Sequence, residues 1–322
     1  MRPIRLAVDI SSGDYGSRVL VRGVLEARRR CPYSLTAYLC GDKDTIEKEL
    51  KIAGSGCGPE SGFIIEHCSQ TVEPHLAPSR VWKTRQQSPI VRCISLQKDG
   101  VVDASLSAGD TGTLMGAAIF LLGRIEGVAR PALAALLPTV SKRPALLLDA
   151  GANLECRTEH LAAFGQMGFS YYRRFFGIEC PRVAMLSIGH EPSKGTRTVR
   201  EAGMKLAREC AGYSGFIEGG RVLSGDADVI VCDGFTGNVL LKACESFHAL
   251  ADAVLAGNRK LADVLREKLS ILNPDNYGAV PLLGIRGVVF KAHGSSSATA
   301  FAYALIAAVT AVHRGLPVMH NV

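Results

Sequence analysis

Short apolar segments alternate along the chain with longer amphipathic or alanine-rich segments. Segments that are apolar throughout are typical of strands buried on both faces, and apolar residues at helical spacing are typical of helices. The alternation therefore predicts an α/β fold of three layers (α/β/α), in which a mainly parallel sheet carries helices on both faces. The predicted strands are Ile4 to Val8, Leu35 to Leu39, Ala104 to Leu106, Ala132 to Leu137, Ala145 to Leu148, Val183 to Ile188, Val229 to Val231 and Gly287 to Phe290.

The longer segments predict eight helices, whose positions are better defined than the residues at which they begin and end. No proline-rich or serine-rich linker divides the chain, so we expect a single α/β/α domain over residues 1–322. The predicted helices are Val19 to Arg30, Thr45 to Ala53, Gly112 to Leu122, Glu159 to Phe175, Thr198 to Cys210, Gly237 to Leu255, Leu261 to Leu272 and Ser297 to Val312.

Polar and glycine-rich loops follow six of the predicted strands. Turn and capping roles explain any one such loop, but in a parallel sheet the carboxyl ends of the strands meet, so six loops favour one shared site. Glycine lets backbone N–H groups converge on an oxygen, and a following helix adds its positive N-terminal end. The loops therefore suit phosphate, acyl-phosphate or an oxyanion. They are Asp9 to Gly16, Ser107 to Thr113, Asp149 to Asn153, Gly189 to Gly195, Cys232 to Asn238 and Lys291 to Ser296.

Composition and charge narrow the class of protein only slightly. With 47% hydrophobic and 21% charged residues, the chain is expected to fold rather than to be disordered. The net charge of +7 suits an acidic protein, an anionic substrate or an anionic surface without selecting among them. The two cysteines nearest in sequence, Cys31 and Cys40, are nine residues apart. The ten cysteines therefore include no closely spaced zinc-ligand pair of the Cys-x2-Cys type. Scattered thiols and an N-terminus without a secretory signal predict a cytoplasmic protein.

Several common catalytic motifs are missing from the sequence. It has no dinucleotide-binding glycine fingerprint after the first strand, no nucleoside-triphosphate loop, no Gly-x-Ser-x-Gly elbow and no tight histidine pair. We therefore expect no cofactor and no metal, and no covalent mechanism is demanded. We also expect no nucleic-acid partner.

Taken together, the motifs resemble the bacterial acyl-acyl-carrier-protein:phosphate acyltransferases of phospholipid synthesis, the PlsX family, nearly end to end. Each motif is weak alone, whereas their order and spacing are highly specific. They are Asp9-x4-Asp14-Tyr15-Gly16, Ser107 to Gly112 with Met115, Arg130-Pro131-Ala132, Asp149-x-Gly151-Ala152-Asn153 with Cys156, Met167-Gly168, Ile188-Gly189-x-Glu191-x-x-Lys194-Gly195, Glu218-Gly219, Gly225 to Asn238, Tyr277-Gly278-Ala279 with Leu282-Leu283-Gly284, and Lys291-x-His293-Gly294-Ser295.

The resemblance implies that inorganic phosphate attacks the thioester of a fatty acyl-carrier protein to give acyl-phosphate. It also implies a fold similar to isopropylmalate dehydrogenase and phosphotransacetylase, usually as a homodimer. By position in the motifs, Lys194 would bind phosphate or the developing oxyanion and Asn238 would donate a second hydrogen bond. His293 and Asp233 follow as further catalytic candidates, although loop and capping roles would also explain these residues. The phosphate-binding or acyl-binding candidates are Asp9, Ser12, Gly13, Asp14, Ser107, Gly109, Asp110, Thr111, Gly112, Asn153, Glu191 and Gly237.

The chain departs from the family pattern at four places, one of which is Pro89, where the family has a serine. Ser11 and Ser12 replace a methionine and a glycine, and Asp110 replaces an asparagine, which puts an acceptor-only carboxylate where an anion should approach. A helical hairpin at about 239–276 is shorter than usual in the family. Its apolar stripe, from Leu261 to Leu272, favours packing on the protein's own core or on a second subunit over a membrane anchor, with peripheral membrane contact as the alternative.

Two other functions stay open at this point. One is a phosphotransacylase that uses a short-chain acyl-coenzyme A. The other is a catalytically silent relative that binds acyl-carrier protein or a partner enzyme. Acyl-carrier proteins are acidic, so the positive net charge is compatible with docking of such a partner.

Overall fold

The computed structural model describes residues 2–73, 76–141, 143–255 and 279–316. They form two compact units. Unit 1 comprises residues 2–127 and 279–316, and unit 2 comprises residues 128–255. One catalytic domain over 1–322 stays a prediction. The predicted helix Leu261 to Leu272 and the hairpin beyond residue 255 lie outside the described residues.

Strands and helices alternate along the chain as expected for an α/β protein. The strands are β1 Ile4–Asp9, β2 Leu35–Gly41, β3 Phe63–His67, β4 Ala104–Ser107, β5 Ala132–Leu137, β6 Ala145–Leu148, β7 Val183–Ser187, β8 Tyr213–Glu218, β9 Val229–Val231, β10 Ala279–Leu283 and β11 Val288–Ala292. The helices are α1 Ser17–Arg30, α2 Lys43–Ile52, α3 Pro78–Thr84, α4 Pro89–Lys98, α5 Thr111–Leu121, α6 Thr158–Phe176, α7 Arg197–Glu209, α8 Gly234–Leu255 and α9 Ala298–His313.

Each unit contains a mainly parallel set of strands. In unit 1 the order is β3-β2-β1-β4-β11-β10, and β10 runs antiparallel to β11. In unit 2 the order is β5-β6-β9-β7-β8, and β5 runs antiparallel to β6. The other pairs within each unit are parallel. Loops at the carboxyl ends of the parallel strands are therefore brought together within each unit.

In unit 1 helices cover both faces of the sheet. Ala7 and Cys40 pack against Cys93 and Leu96 of α4. Because successive residues of a strand point to opposite faces of the sheet, Leu6 and Val8 point away from α4, towards the helices on the other face. There α9 packs on α1 and contacts β1, β4, β10 and β11.

Unit 2 has the same three layers. On one face, Leu147 and Ile230 belong to a core cluster against which Leu240 of α8 packs. On the other face, a Cβ at Gly168 of α6 would lie 2.5 Å from Val229. Helix α6 therefore lies directly on the sheet, and the predicted three-layer α/β/α class is confirmed.

All eight predicted strands are present, but three others escaped prediction. They are β3, β8 and β10. Strands β3 and β8 end their sheets and are only partly buried, so they lack a continuous apolar run. The helices α3 and α4 were also missed. Each begins at a proline, α3 is only seven residues long, and α4 follows the polar residues Arg85 to Ser88. No helix of the described residues is long and apolar enough to cross a membrane.

Candidate active-site loops

In unit 1 a buried carboxylate organises the loops that follow β1 and β4. Asp9 is fully buried at the end of β1. One of its carboxylate oxygens accepts hydrogen bonds from Ser12 Oγ at 2.5 Å and Ser107 Oγ at 2.7 Å, and the other accepts from Ser11 N at 3.0 Å. Burial raises the pKa of Asp9, although these hydrogen bonds favour its charged form. Asp9 is therefore buried between the two loops and joins them, and its role as a binding candidate stays a prediction.

The loops after β1 and β4 also lie close together at Gly109. Ser107 Oγ accepts a hydrogen bond from Gly109 N at 2.9 Å. A Cβ at Gly109 would lie 3.0 Å from Ser12 Cβ and 3.1 Å from Ile90 Cδ1, which is tighter than ordinary contact. Glycine is needed here because a side chain would push the loops apart.

The loop after β11 reaches this cluster as well. Asp14 N donates to the carbonyl oxygen of Gly294 at 2.8 Å, and Lys291 Nζ donates to that of Ala108 at 3.3 Å. His293 is exposed, and its Nδ1 lies 2.7 Å from Ser295 Oγ. The structure thus brings three predicted loops together in unit 1, with His293 at their surface.

Asp110 has a structural role that its charge alone does not reveal. It is the N-cap of α5, and its Oδ2 accepts a hydrogen bond from Thr113 N at 2.7 Å. Thr111 and Gly112 form the first turn, where a Cβ at Gly112 would lie 3.1 Å from Pro78. Asparagine and aspartate cap helices about equally well, so the loop keeps its shape with either residue.

A cavity of about 480 Å³ opens beside these loops. Ser12, Gly109 and Asp110 line its polar side, and Pro89 and Ile90 contribute apolar walls. The remaining lining residues are Ser11, Thr71, Val72, Glu73, Leu76, Pro78 and Thr113.

In unit 2 a second buried carboxylate organises the loop after β6. Asp149 is fully buried, and its two oxygens accept five N–H hydrogen bonds. The donors are Leu133 N (3.0 Å), Gly151 N (3.2 Å) and Ala152 N (3.0 Å) on Oδ1, with Asn153 N (2.6 Å) and Asn153 Nδ2 (2.8 Å) on Oδ2. Burial raises the pKa of Asp149 against the opposing effect of these donors.

Asp149 also fixes the start of α8. Gly234 N donates to the carbonyl oxygen of Asn153 at 2.7 Å. A Cβ at Gly237 would overlap the carbonyl oxygen of Asp149, so this position has no room for any side chain. The next residue, Asn238, is exposed, and Gly151 lies beside it. The loop after β6 therefore holds the first turn of α8 in place and presents Asn238 to solvent.

Asp233 caps α8 from the preceding loop. Its carboxylate accepts hydrogen bonds from Thr236 N and Thr236 Oγ1, both at 2.8 Å. A cavity of about 620 Å³ beside it is lined by Asp233, Cys156 and Phe235. The pKa of the Cys156 thiol is raised to about 12, chiefly by burial and further by the carboxylates of Asp149 and Asp233. The remaining lining residues are Leu154, Glu155, Leu161, Thr196, Thr198, Val199 and Thr236.

Lys194 lies in the exposed loop between β7 and α7. Its N–H donates to the carbonyl oxygen of Glu191 at 3.0 Å, which closes a turn. A Cβ at Gly189 would lie 2.8 Å from both Lys194 Cγ and Glu191 Oε2, so the two side chains fold over this glycine. The loop ends where Arg200 donates to the carbonyl oxygen of Gly195 at 2.7 Å.

The candidates thus separate by unit. Unit 1 contains His293 and the loops that follow β1, β4 and β11. Unit 2 contains Lys194 and Asn238. That the loops of both units form one shared site stays a prediction. Asp149 was named in a motif but not among the candidate site residues, although its place directly after a buried strand, at the start of Asp-Ala-Gly-Ala-Asn, was the available signal. Within the described residues, no group of three or more potential ligands could hold a metal ion.

Comparisons with known proteins give a consistent result. The family described as "Fatty acid synthesis protein" matches residues 4–319. The chain is 39% identical to the phosphate acyltransferase of Shewanella halifaxensis over 331 aligned residues, covering 99% of this chain and 96% of that protein. It is 38% identical to the phosphate acyltransferase of Pelotomaculum thermopropionicum, covering 97% and 93%.

Solved structures resemble the chain in fold. A phosphotransacetylase from Streptococcus pyogenes has a TM-score of 0.65 at 15% identity, covering 97% of this chain and 94% of that chain. A branched-chain phosphotransacylase from Enterococcus faecalis has a TM-score of 0.61 at 14% identity, covering 96% and 99%. At this level of identity the likeness shows the fold alone, and it agrees with the similarity to phosphotransacetylase expected from the sequence.

Proposed function

The chain belongs to the family of fatty acid synthesis proteins, and from this premise we propose that it is a phosphate acyltransferase acting on fatty acyl-carrier protein. The single observation that carries the proposal is the near full-length match to proteins named phosphate acyltransferase at 38–39% identity. The loop geometry supports it, because each unit gathers glycine-rich loops at the carboxyl ends of its strands.

In the proposed reaction, an oxygen of hydrogen phosphate attacks the thioester carbonyl carbon. A tetrahedral oxyanion forms, the C–S bond breaks, and the carrier thiol leaves with the proton that the phosphate brought. The products are acyl-phosphate and free carrier protein. Phosphate is already a nucleophile near neutral pH, so the protein's main tasks are to orient it and to stabilise the oxyanion.

We assign the binding of phosphate to unit 2. Lys194 is exposed on its loop and offers a positive charge that can follow the phosphate as it reacts. Asn238 stands in the first turns of α8, whose N-terminal N–H groups favour an anion. The turn closed by Glu191 and the tight packing at Gly237 support these assignments, since both hold the donors in place before the substrate binds.

We assign the uncharged thioester to the loops of unit 1. Asp14 and Asp110 place carboxylates there, which repel phosphate but accept hydrogen bonds from amides and hydroxyls. The adjoining cavity has the mixed lining that an alkyl-and-amide chain requires. The residues proposed to contact the substrate are Ser12, Gly13, Gly109, Thr111 and Gly112.

Direct attack by phosphate agrees with the state of Cys156. This cysteine lines a cavity of unit 2, but its pKa of about 12 keeps the thiol protonated. A protonated thiol is a poor nucleophile. An acyl-enzyme intermediate on Cys156 is therefore disfavoured.

We further propose that the protein works in the cytoplasm as a homodimer. The ten free thiols support a reducing compartment. Large exposed apolar side chains on α8, namely Phe235, Val239, Phe247 and Leu250, support association of two copies. Peripheral membrane contact through the hairpin stays a prediction, because that segment lies beyond the described residues.

Thioester loss from palmitoyl-acyl-carrier protein, measured with and without inorganic phosphate, tests the function. Acyl-phosphate is trapped with hydroxylamine and identified by mass spectrometry. We expect phosphate-dependent product, retained by Lys205→Ala and lost by Lys194→Ala. Equal turnover of acetyl-coenzyme A would instead indicate a short-chain phosphotransacylase. Carrier binding without turnover would indicate a silent relative and refute the proposal.

A further inference from the structure

The positive charge of the molecule is concentrated on one helix. Helix α1 carries five arginines and one glutamate, a net charge of +4, whereas the whole chain carries +7. More than half of the excess charge thus resides on a helix of 14 residues. Such a concentration requires an explanation beyond general solubility.

Three of these arginines lie on a single face of α1. Arg18, Arg22 and Arg29 are exposed and follow the helical spacing of 4 and 7 residues. The opposite face is buried, and a Cβ at Gly23 would lie 2.8 Å from the carbonyl oxygen of Ala298 in α9. We call the exposed face of Arg18, Arg22 and Arg29 the arginine stripe.

The neighbouring charges of α1 do not neutralise the stripe. Glu26 is the sole acidic residue of α1, and it pairs with Arg30 at 2.6 Å. Among the described residues, Arg18 and Arg22 form no ion pair. Arg18 and Arg22 repel each other at a spacing of four residues, and Arg18 is also unfavourable at the positive end of the helix. Arg18 is therefore unfavourable for the helix itself, which points to an interaction outside it.

The position of the stripe relates it to the loops of unit 1. Helix α1 starts directly after Asp14-Tyr15-Gly16, and Asp14 N donates to Gly294 in the loop that carries His293. Arg18 lies in the first turn, and Arg22 follows about 6 Å farther along the axis. A partner bound on the stripe would therefore hold a tethered acyl group beside these loops.

We propose that the arginine stripe is the docking surface for the acidic face of acyl-carrier protein, an inference that rests on the proposed function. Arginine forms bidentate hydrogen bonds with carboxylates, so a row of arginines fits a helix that displays acidic side chains. A membrane surface fits less well. Helices that lie on lipid place large apolar side chains beside their basic residues, and the exposed large apolar residues of the described chain include none from α1.

The test is a double charge reversal, Arg18→Glu with Arg22→Glu. The matched control is Lys48→Glu with Arg208→Glu, which makes the same change in net charge at exposed positions on α2 and α7. Because an acidic residue in the first turn favours a helix, the double reversal is expected to melt at or above the wild-type temperature. If Arg18 and Arg22 had only a structural role, the double reversal would therefore keep the kinetic constants of the wild-type enzyme.

Docking predicts a different kinetic result. The double reversal should raise KM for palmitoyl-acyl-carrier protein by about tenfold or more with kcat unchanged, and weaken its dependence on salt, while the control stays near wild type. Equal KM values for the two variants would overturn the proposal.

Two further measurements separate this proposal from the function on which it rests. Binding of carrier protein is measured directly by calorimetry, so an inactive wild-type protein would refute the acyltransferase while still reporting whether the stripe binds carrier. Vesicles of phosphatidylglycerol and phosphatidylcholine form the second arm. Loss of vesicle binding with unchanged carrier binding in the double reversal would assign the stripe to a membrane and overturn the docking proposal.

Discussion

The two buried aspartates offer a matched experiment, because they have the same burial but different partners. Asp149 accepts from five N–H donors, whereas Asp9 accepts from two hydroxyls and one N–H. In Asp149→Asn, the new NH₂ group must face either the two donors from Asn153 or the three others. A hydroxyl, in contrast, can accept as well as donate. In Asp9→Asn, the NH₂ group can donate to both Ser12 and Ser107.

The expected magnitude follows from counting the bonds lost. Asp149→Asn loses at least two hydrogen bonds to a charged group, each worth about 1.5–3 kcal/mol, or about 3–6 kcal/mol in total. Removal of a buried charge offsets part of this cost, so we expect a net loss of about 3 kcal/mol. Asp9→Asn is expected to stay within about 1 kcal/mol of wild type, because its hydrogen bonds can be re-formed.

Urea unfolding at pH 7, followed by circular dichroism, measures both changes as shifts of the midpoint at constant m value. Activity of the folded Asp149→Asn protein should also fall, because Asp149 holds the turn that presents Asn238. Equal stability of the two variants would refute the reasoning, as would an Asp149→Asn protein within about 1 kcal/mol of wild type.

Four further predictions use other parts of the site. Lys194→Ala should lower phosphate-dependent kcat by about a hundredfold with unchanged unfolding, because an exposed donor to the reacting oxygen is lost; near-normal turnover would exclude Lys194. Gly237→Ala should cost about 2–3 kcal/mol and most of the activity, because its Cβ meets Asp149, whereas Gly220→Ala, where a Cβ meets nothing within 4 Å, serves as the neutral control in the same unfolding assay. Cys156→Ala should keep kcat within about twofold, and a large loss would support a thiol mechanism instead. Because the pKa of Asp9 is raised in the folded state, ionisation of Asp9 lowers the free energy of unfolding once the pH exceeds the unfolded value of about 3.9. The free energy of unfolding of Asp9→Asn, measured from pH 4 to 7, should therefore increase relative to that of wild type as the pH rises through the folded pKa.

The central strands of both units could be predicted because they are short segments that are buried on both faces. Ala104–Ser107 in unit 1, and Ala145–Leu148 and Val229–Val231 in unit 2, are buried at every position. The edge strands β3 and β8 alternate irregularly, since one side of each is open. Their pairing depends on neighbours distant in sequence, which local patterns do not report.

The position of the site loops could also be predicted, but the task of each residue could not. Asp9 and Asp149 both follow a buried strand and look alike in the sequence. Only the folded chain shows that five N–H groups converge on Asp149, or that Gly237 touches its carbonyl oxygen. The contact of Gly237 with Asp149 joins two loops that lie far apart in the sequence, and the five N–H groups converge only once the short loop after β6 has folded.

Asp110 illustrates how the structure changes the meaning of a substitution. In the sequence, a carboxylate in place of asparagine argues against phosphate binding at this loop. In the structure, one oxygen of that carboxylate caps α5 through Thr113 N, so the loop does not need asparagine to keep its shape. What the substitution changes is charge, which would disfavour an anion within the loops of unit 1 but not an uncharged thioester.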